Sequence, residues 1–472
     1  MNKEDICFMP AWQMKEKVAS QEISSQEITE FIIERIEKIN PIVNAYCTTT
    51  FDLAREMAKD ADERVKKKEK LPNLNGIPTS IKDLMAVKGV RTTQGSRIFE
   101  NNIAERDSIT VKRLKKAGCV ILGKTNTPEF GFKGATDNII FGATLNPWNL
   151  EKTSGGSSGG AAVSVASGMG PLAQGSDGGG SIRHPACFCG TYGLKPTFGR
   201  VPRDSGAFKI DMGLSVIGPI TNYVADAALM LDIMKGPSER DRTSLPNENI
   251  NYFEHLNEKP KKLKIGYSLD LGFAKVVDPE VKKVVEQSVY TFESFGWDVQ
   301  KAKFNGTDPS SAFSAHWLVA YGYNFQPFLE EWKDKIDPTL LTWVEAGLRY
   351  PASTLPLAMK VRTDFYESVY ETFKNYDILV TPTTACAAFE LGVAAPTEIN
   401  GIAVSQTGWQ PFTFPFNFTG HPAASIPCGW ATGNLPIGMQ IVGKRFDELL
   451  VLQVSKAFEE IAPWQKKKPY FN

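Results

Sequence analysis

Short apolar runs of strand length alternate with helix-like stretches along this chain, and they recur on both sides of a polar, proline-broken segment at residues 236–262. Residues 77–81, 119–122, 263–267, 377–381, 424–427 and 438–442 read as strands, and residues 108–117, 161–166 and 279–295 as helices. Strands on each side of one exposed connection favour a single large sheet continued across it over two independent domains. The expected fold class is α/β.

The opening of the chain differs in kind. Ser24-Ser25-Gln26-Glu27 reads as a capping box, followed by Ile28, Phe31, Ile32, Ile36 and Ile39 at helical spacing until Asn40-Pro41 stops the helix. A second, highly charged helix is expected over residues 51–70. Residues 1–70 are therefore read as a helical cover. Residues 71–472 are read as the α/β domain, with an insertion-like region at about 236–375.

Charge excludes several functions. Lys+Arg and Asp+Glu are both 53, and no basic run is interleaved with aromatics, so no nucleic-acid partner is expected. No stretch reaches the roughly 18 uncharged apolar residues of a membrane span, and the first residues lack the apolar region of a signal peptide. The seven cysteines, an odd and scattered set, read as buried free thiols in a reducing cytoplasm. Cys187-Phe-Cys189 lacks the two-residue gap of a zinc knuckle and the four histidines are isolated, so neither a metal nor another cofactor is expected.

Two short motifs mislead. Gly118-Cys-Val-Ile-Leu-Gly123-Lys124-Thr125 fits the phosphate-binding pattern G-x-x-x-x-G-K-[ST], but its variable positions form an apolar run suited to a buried strand. Thr127-Pro128 also interrupts the helix that should follow. Gly155-Gly-Ser157-Ser-Gly159 fits a nucleophile elbow, for which His421 would have to serve as base. A better nucleophile lies nearby. Gly178-Gly179-Gly180-Ser181 puts three glycines before a serine, and glycines let backbone N–H groups converge as an oxyanion hole requires.

The blocks around that serine resemble the amidase signature family. They are Gly76-Ile-Pro-Thr-Ser-Ile-Lys82-Asp83, Gly155-Gly-Ser157-Ser-Gly-Gly160, Gly178-Gly-Gly-Ser181-Ile-Arg183 and Cys189-Gly-Thr-Tyr-Gly-Leu-Lys-Pro-Thr197, in that family's order. The likeness is strong over about residues 20–205, weakens in the middle, and returns at Phe418-Thr-Gly-His-Pro-Ala423 and Pro436-Ile-Gly-Met-Gln440. It implies a large mixed β-sheet core covered by helices on both faces, and hydrolysis of small-molecule amides. It also implies a triad of Lys82, Ser157 and Ser181 with a cis peptide before Ser157; the family's spacing selects Ser157 over Ser158. Lys82 would be the base, Ser157 the relay and Ser181 the nucleophile, with N–H groups at Gly178, Gly179, Gly180 and Ser181 holding the oxyanion. Asp177, Arg183 and Ser158 would support that loop. Gly178 stands where the commoner pattern has Thr, which points toward the acylamidase and aminohexanoate-oligomer hydrolase branch.

Gly131, Trp409, Phe412 and Phe414 are the candidate pocket residues, with His316-Trp317 and Tyr321–Tyr323 at its mouth. The segment 409–418 alternates phenylalanines as a half-buried strand would. Three alternatives stand: a P-loop nucleotide-binding protein, the catalytic component (the A subunit) of a glutamyl-tRNA amidotransferase, and an inactive binding module, against which retention of all three triad residues argues. A homodimer is left open.

Overall fold

The computed structural model describes residues 2–204, 210 and 212–471. Among the described residues, eleven strands form the main sheet. In chain order they are β1 (Tyr46–Thr49), β2 (Pro78–Lys82), β3 (Val120–Thr125), β4 (Leu172–Asp177), β5 (Tyr192–Lys195) and β6 (Val216–Thr221). They continue as β7 (Lys264–Tyr267), β8 (Asp298–Lys301), β9 (Ile378–Pro382), β10 (Ala423–Ala431) and β11 (Leu435–Gly443). Their spatial order is β1-β3-β2-β4-β6-β5-β10-β11-β9-β7-β8. The sheet is mixed, with β2 parallel to both β3 and β4 but β4 antiparallel to β6. It runs through the polar segment as one sheet, because β7 beyond that segment pairs with β9 and β8.

Residues 236–375 therefore supply two sheet strands as well as helices. The opening residues also do more than cover. Tyr46–Thr49 pairs with β3 at the sheet edge, a strand too short for the period-2 signal to show among its helical neighbours. Helix Ser25–Val43 has its capping box at Ser24 and Glu27 and buries Ile28, Ile32, Ile36 and Ile39. It does not stop at Asn40-Pro41. Pro41 lies inside the last turn, and the helix ends at Asn44, in the left-handed region, whose N–H bonds Asn40 O at 2.8 Å. The charged helix ends at Lys66, short of residue 70.

One correction concerns residues 409–418. Phe412, Phe414, Phe416 and Phe418 are all buried, but they do not alternate along a strand; a short helix, Phe414–Thr419, starts with Pro415 in its first turn. Proline pre-sets the helical φ there and lacks the N–H a strand ladder would need.

Candidate active site

β2 and β4 are parallel neighbours, and their carboxyl ends deliver Lys82 on one strand and Ser176-Asp177 on the next. Open α/β sheets bind ligands at such ends. The Lys82 side chain is fully buried, and its Nζ contacts Ser157 Oγ at 2.7 Å, Ser158 Oγ at 2.9 Å and Ser176 Oγ at 3.0 Å. Burial holds this amine well below the ordinary lysine range, only partly countered by the charge of Asp177. The Gly156–Ser157 peptide is cis.

The three hydroxyls differ. Ser158 Oγ–H donates to the Ser176 carbonyl at 3.1 Å, and the same oxygen accepts from the Ser176 amide at 3.3 Å. With its proton committed, Ser158 can only accept from Lys82. Ser157 makes the shortest of the three contacts and lines a cavity of about 1260 Å³ that Ser176 and Ser181 also line. Gly131 closes on this corner with φ +73°, and a β-carbon there would lie 3.1 Å from Ser157 Oγ.

Asp177 holds the Gly178–Ser181 loop in shape. Its carboxylate accepts from the Gly180 amide at 2.7 Å and the Ile182 amide at 3.2 Å, and pairs with Arg183 through Nε and Nη2, each at 2.9 Å. Burial alone would raise its pKa; the Arg183 guanidinium overrides this and keeps the carboxyl well below the usual range. Arg183 reaches on to Gln440 Oε1 (2.6 Å) and Asn417 Oδ1 (2.5 Å), and Asn417 Nδ2 returns to Asp177 at 2.9 Å. The Ser158 amide bonds the Ser181 carbonyl at 3.1 Å, tying both serine loops together.

One candidate oxyanion donor changes role. The Gly180 N–H is committed to Asp177, so of the four residues named for this purpose Gly178, Gly179 and Ser181 remain. Gly180 is glycine for another reason: its φ is +137°, and a β-carbon would fall 2.1 Å from Nε2 of His184.

Of the four pocket candidates, Gly131 and Trp409 line the cavity, as do Trp317 and Tyr321 from the middle of the chain. Phe412 and Phe414 do not. Phe412 belongs to the main core, and Phe414 stacks behind Phe313 with centroids 4.9 Å apart. Tyr323 points outward and is exposed. Sequence reasoning misses Ser176, Asn417 and Gln440; only Ser176, adjoining Asp177 in the glycine-rich block, carries a signal that could have found it.

Neither misleading motif is built. Gly118–Thr125 feeds the buried strand β3, and Lys124 Nζ bonds Asp83 at 2.7 Å and Thr92 at 3.0 Å, leaving no phosphate cradle. His421 bonds Thr419 at 2.8 Å, stacks on Phe373 and lies off the cavity. Among the described residues no His, Cys, Asp or Glu side chains gather as a metal-ligand group, and no helix is long and apolar enough to cross a membrane. All seven cysteines are free; Cys47 and Cys428 are partly exposed rather than buried.

The model of the Amidase family matches residues 27–452, and the chain belongs to that family. It is an amide-bond hydrolase. An acylamidase from Rhodococcus erythropolis is 38% identical over 99% of this chain and 98% of its own. The A subunit of a glutamyl-tRNA(Gln) amidotransferase from Sulfurihydrogenibium sp. is 37% identical over 97% of this chain and 98% of its own. The solved structure of a bacterial aryl acylamidase of the amidase signature family superposes with a TM-score of 0.91 at 33% identity, covering 97% of each chain.

Proposed function

We propose that this amide hydrolase works through an acyl-enzyme on Ser181, with Lys82 as base and Ser157 as relay, on small neutral aliphatic or aromatic acyl amides. The observation that carries the reading is the Lys82 amine, buried among three hydroxyls at 2.7–3.0 Å. A neutral amine has two N–H donors and one lone pair, so three such partners saturate it. Ser158 takes one N–H, Ser176 the other, and Ser157 gives its proton to the lone pair.

Ser157 then draws the proton of Ser181 as Ser181 Oγ attacks the carbonyl carbon. The amides of Gly178, Gly179 and Ser181 hold the developing oxyanion. The proton returns through Ser157 to the leaving nitrogen, which departs as a neutral amine. Water enters, loses its proton by the same route, and releases the acid.

The substrate class follows from the walls, since Phe130, Phe132, Phe313, Trp317, Tyr321 and Trp409 give the cavity an aromatic lining. Aminohexanoate oligomers remain within this class, on the strength of Gly178. The seven free thiols support a cytoplasmic setting. A second reading, the glutamine-cleaving component of an amidotransferase, is favoured by the 37% identity to such a protein over nearly the whole chain; the aromatic lining weighs against glutamine as substrate.

The test is hydrolysis of acyl anilides, aliphatic amides, glutamine and a short aminohexanoate oligomer by the purified protein and its Ser181→Ala variant. Amine release by the wild type alone supports the serine amidase. Equal activity in the variant would remove Ser181 from the chemistry, and ammonia from glutamine alone would favour the amidotransferase reading.

A further inference from the structure

Helix Ser310–Phe325 lays two rings against the nucleophile loop. A β-carbon at Gly178 would lie 2.6 Å from Cζ2 of Trp317, and one at Gly179 would lie 2.8 Å from Cζ of Phe313. Neither glycine has a positive φ, so backbone conformation does not call for glycine at either place. What excludes a side chain is the neighbouring ring, joined at Gly178 by Ser215 Oγ at 2.8 Å from the same β-carbon position. Phe313 and Trp317 are four residues apart and share a helix face. Tyr321, four further on, stacks on Trp317 with centroids 5.5 Å apart and planes inclined by 25°. All three line the cavity that Ser157 and Ser181 face; Trp317 is partly exposed, whereas Phe313 and Tyr321 are buried.

We propose that the Trp317 indole, seated in the space that Gly178 leaves open, is the specificity-determining surface on which an aromatic ring next to the scissile amide stacks. The inference rests on the serine-amidase reading above. It follows from distance: the Gly178 amide belongs to the loop that would hold the substrate's oxygen, so a ring attached at the reacting carbonyl or its nitrogen comes within reach of Trp317. A planar ring continues the Trp317–Tyr321 tier by offset stacking, and a saturated chain of the same length gains less. The ring can belong to the acyl group, as in a benzamide, or to the leaving amine, as in an anilide.

Kinetics on benzamide, acetanilide and hexanamide test this with the wild type, Trp317→Ala, Gly178→Ala and the double variant. Trp317→Ala raises KM for an aryl substrate about tenfold and lowers the aryl-to-alkyl ratio of kcat/KM. Whichever aryl substrate suffers more names the side on which the ring lies. Gly178→Ala lowers activity on every substrate about tenfold or more, because its new methyl meets the indole. The double variant, with the indole gone, recovers hexanamide hydrolysis relative to Gly178→Ala. That rescue is readable even if Gly178→Ala folds poorly. An unchanged aryl-to-alkyl ratio in Trp317→Ala, or equal damage from Gly178→Ala in both backgrounds, overturns the proposal alone. A wild type that cleaves none of the three substrates overturns the serine-amidase reading, and this inference with it.

Discussion

The two sides of the cavity are built from opposite materials. On one side, Lys82, Ser157, Ser158, Ser176, Asp177 and Arg183 form a buried polar corner joined by hydrogen bonds of 2.7–3.4 Å. On the other, Phe130 packs edge-on against Phe325 at 4.8 Å and Phe132 against Trp343 at 5.6 Å, while Trp317 stacks on Tyr321 at 5.5 Å. Directional bonds admit few substitutions, because each lost partner leaves a buried polar group unpaired. Dispersion contacts are individually small and can be redistributed among rings of similar volume. The first side suits chemistry that must not vary, and the second suits a substrate that can.

The contrast breaks most visibly at the reacting groups. Ser181→Ala and Lys82→Ala should each lower kcat by about 10⁴-fold or more, the scale for members of a catalytic unit. Ser157→Ala should approach that loss, whereas Ser158→Ala, which takes from Lys82 an acceptor and no proton relay, should lose roughly tenfold to 100-fold. Equal losses at Ser157 and Ser158 would remove the distinction drawn from the Ser176 carbonyl. The pH profile carries a sign. Burial depresses the Lys82 pKa, so the neutral base persists to lower pH than an ordinary lysine allows. Activity should persist below the ordinary lysine range and fall as the medium acidifies through that depressed value. A profile rising through the usual lysine range would show a charged resting Lys82.

Stability variants sharpen the same comparison. Asp177→Asn leaves the Arg183 guanidinium buried without its counter-charge and should cost about 3–5 kcal/mol, with kcat falling because the Gly180–Ser181 loop loses its anchor. Phe325→Ala, in the opposite wall, should cost roughly 3 kcal/mol in chemical denaturation. Its kinetic effect should fall on KM while kcat changes little. If both variants altered kcat alike, the wall would be part of the catalytic geometry rather than a surface set against it.

The same division decided what could be read in advance. The polar corner was legible because its groups sit in dense, ordered blocks: Lys82 ends a strand-like run, and three glycines precede Ser181. The edge strand Tyr46–Thr49 left no trace in a four-residue stretch between strong helical signals. Phe412 and Phe414 misled because alternating aromatics suit a strand, while Pro415 set a helix instead. The wall was the least legible. Which rings meet is fixed by contacts between helix Ser310–Phe325 and residues far earlier in the chain, as when Phe325 packs on Phe130, and periodicity does not encode such pairings. Gly180 likewise counted as a donor in the sequence, since nothing local reveals that Asp177 takes its N–H.

Glu129 ties the loop at Ser96 to the aromatic wall, and its titration yields the smallest expected effect. Its buried carboxylate accepts from Ser96 Oγ at 2.5 Å and from the Asp337 amide at 2.7 Å, where Asp337 caps helix Pro338–Leu348 of the wall. Burial pushes its carboxyl up to about 7, with those two donors pulling the other way. The folded protein therefore keeps a proton that the unfolded chain has released above its ordinary value of 4.5. Stability that is present below pH 4.5 is lost as pH rises through 7, then levels off. The amide of Glu129→Gln can accept from the Asp337 N–H and donate to Ser96 Oγ without ever carrying charge. Urea midpoints should thus diverge, the variant gaining on the order of 2 kcal/mol over the wild type between pH 5 and pH 8. Parallel curves would mean that the wild-type carboxylate is already ionised at pH 5 and that the joint is held by charge-assisted bonds. In that event KM, measured across the same range with an aryl amide, should not move with pH, since the Ser96–Glu129–Asp337 joint would hold the wall in place throughout.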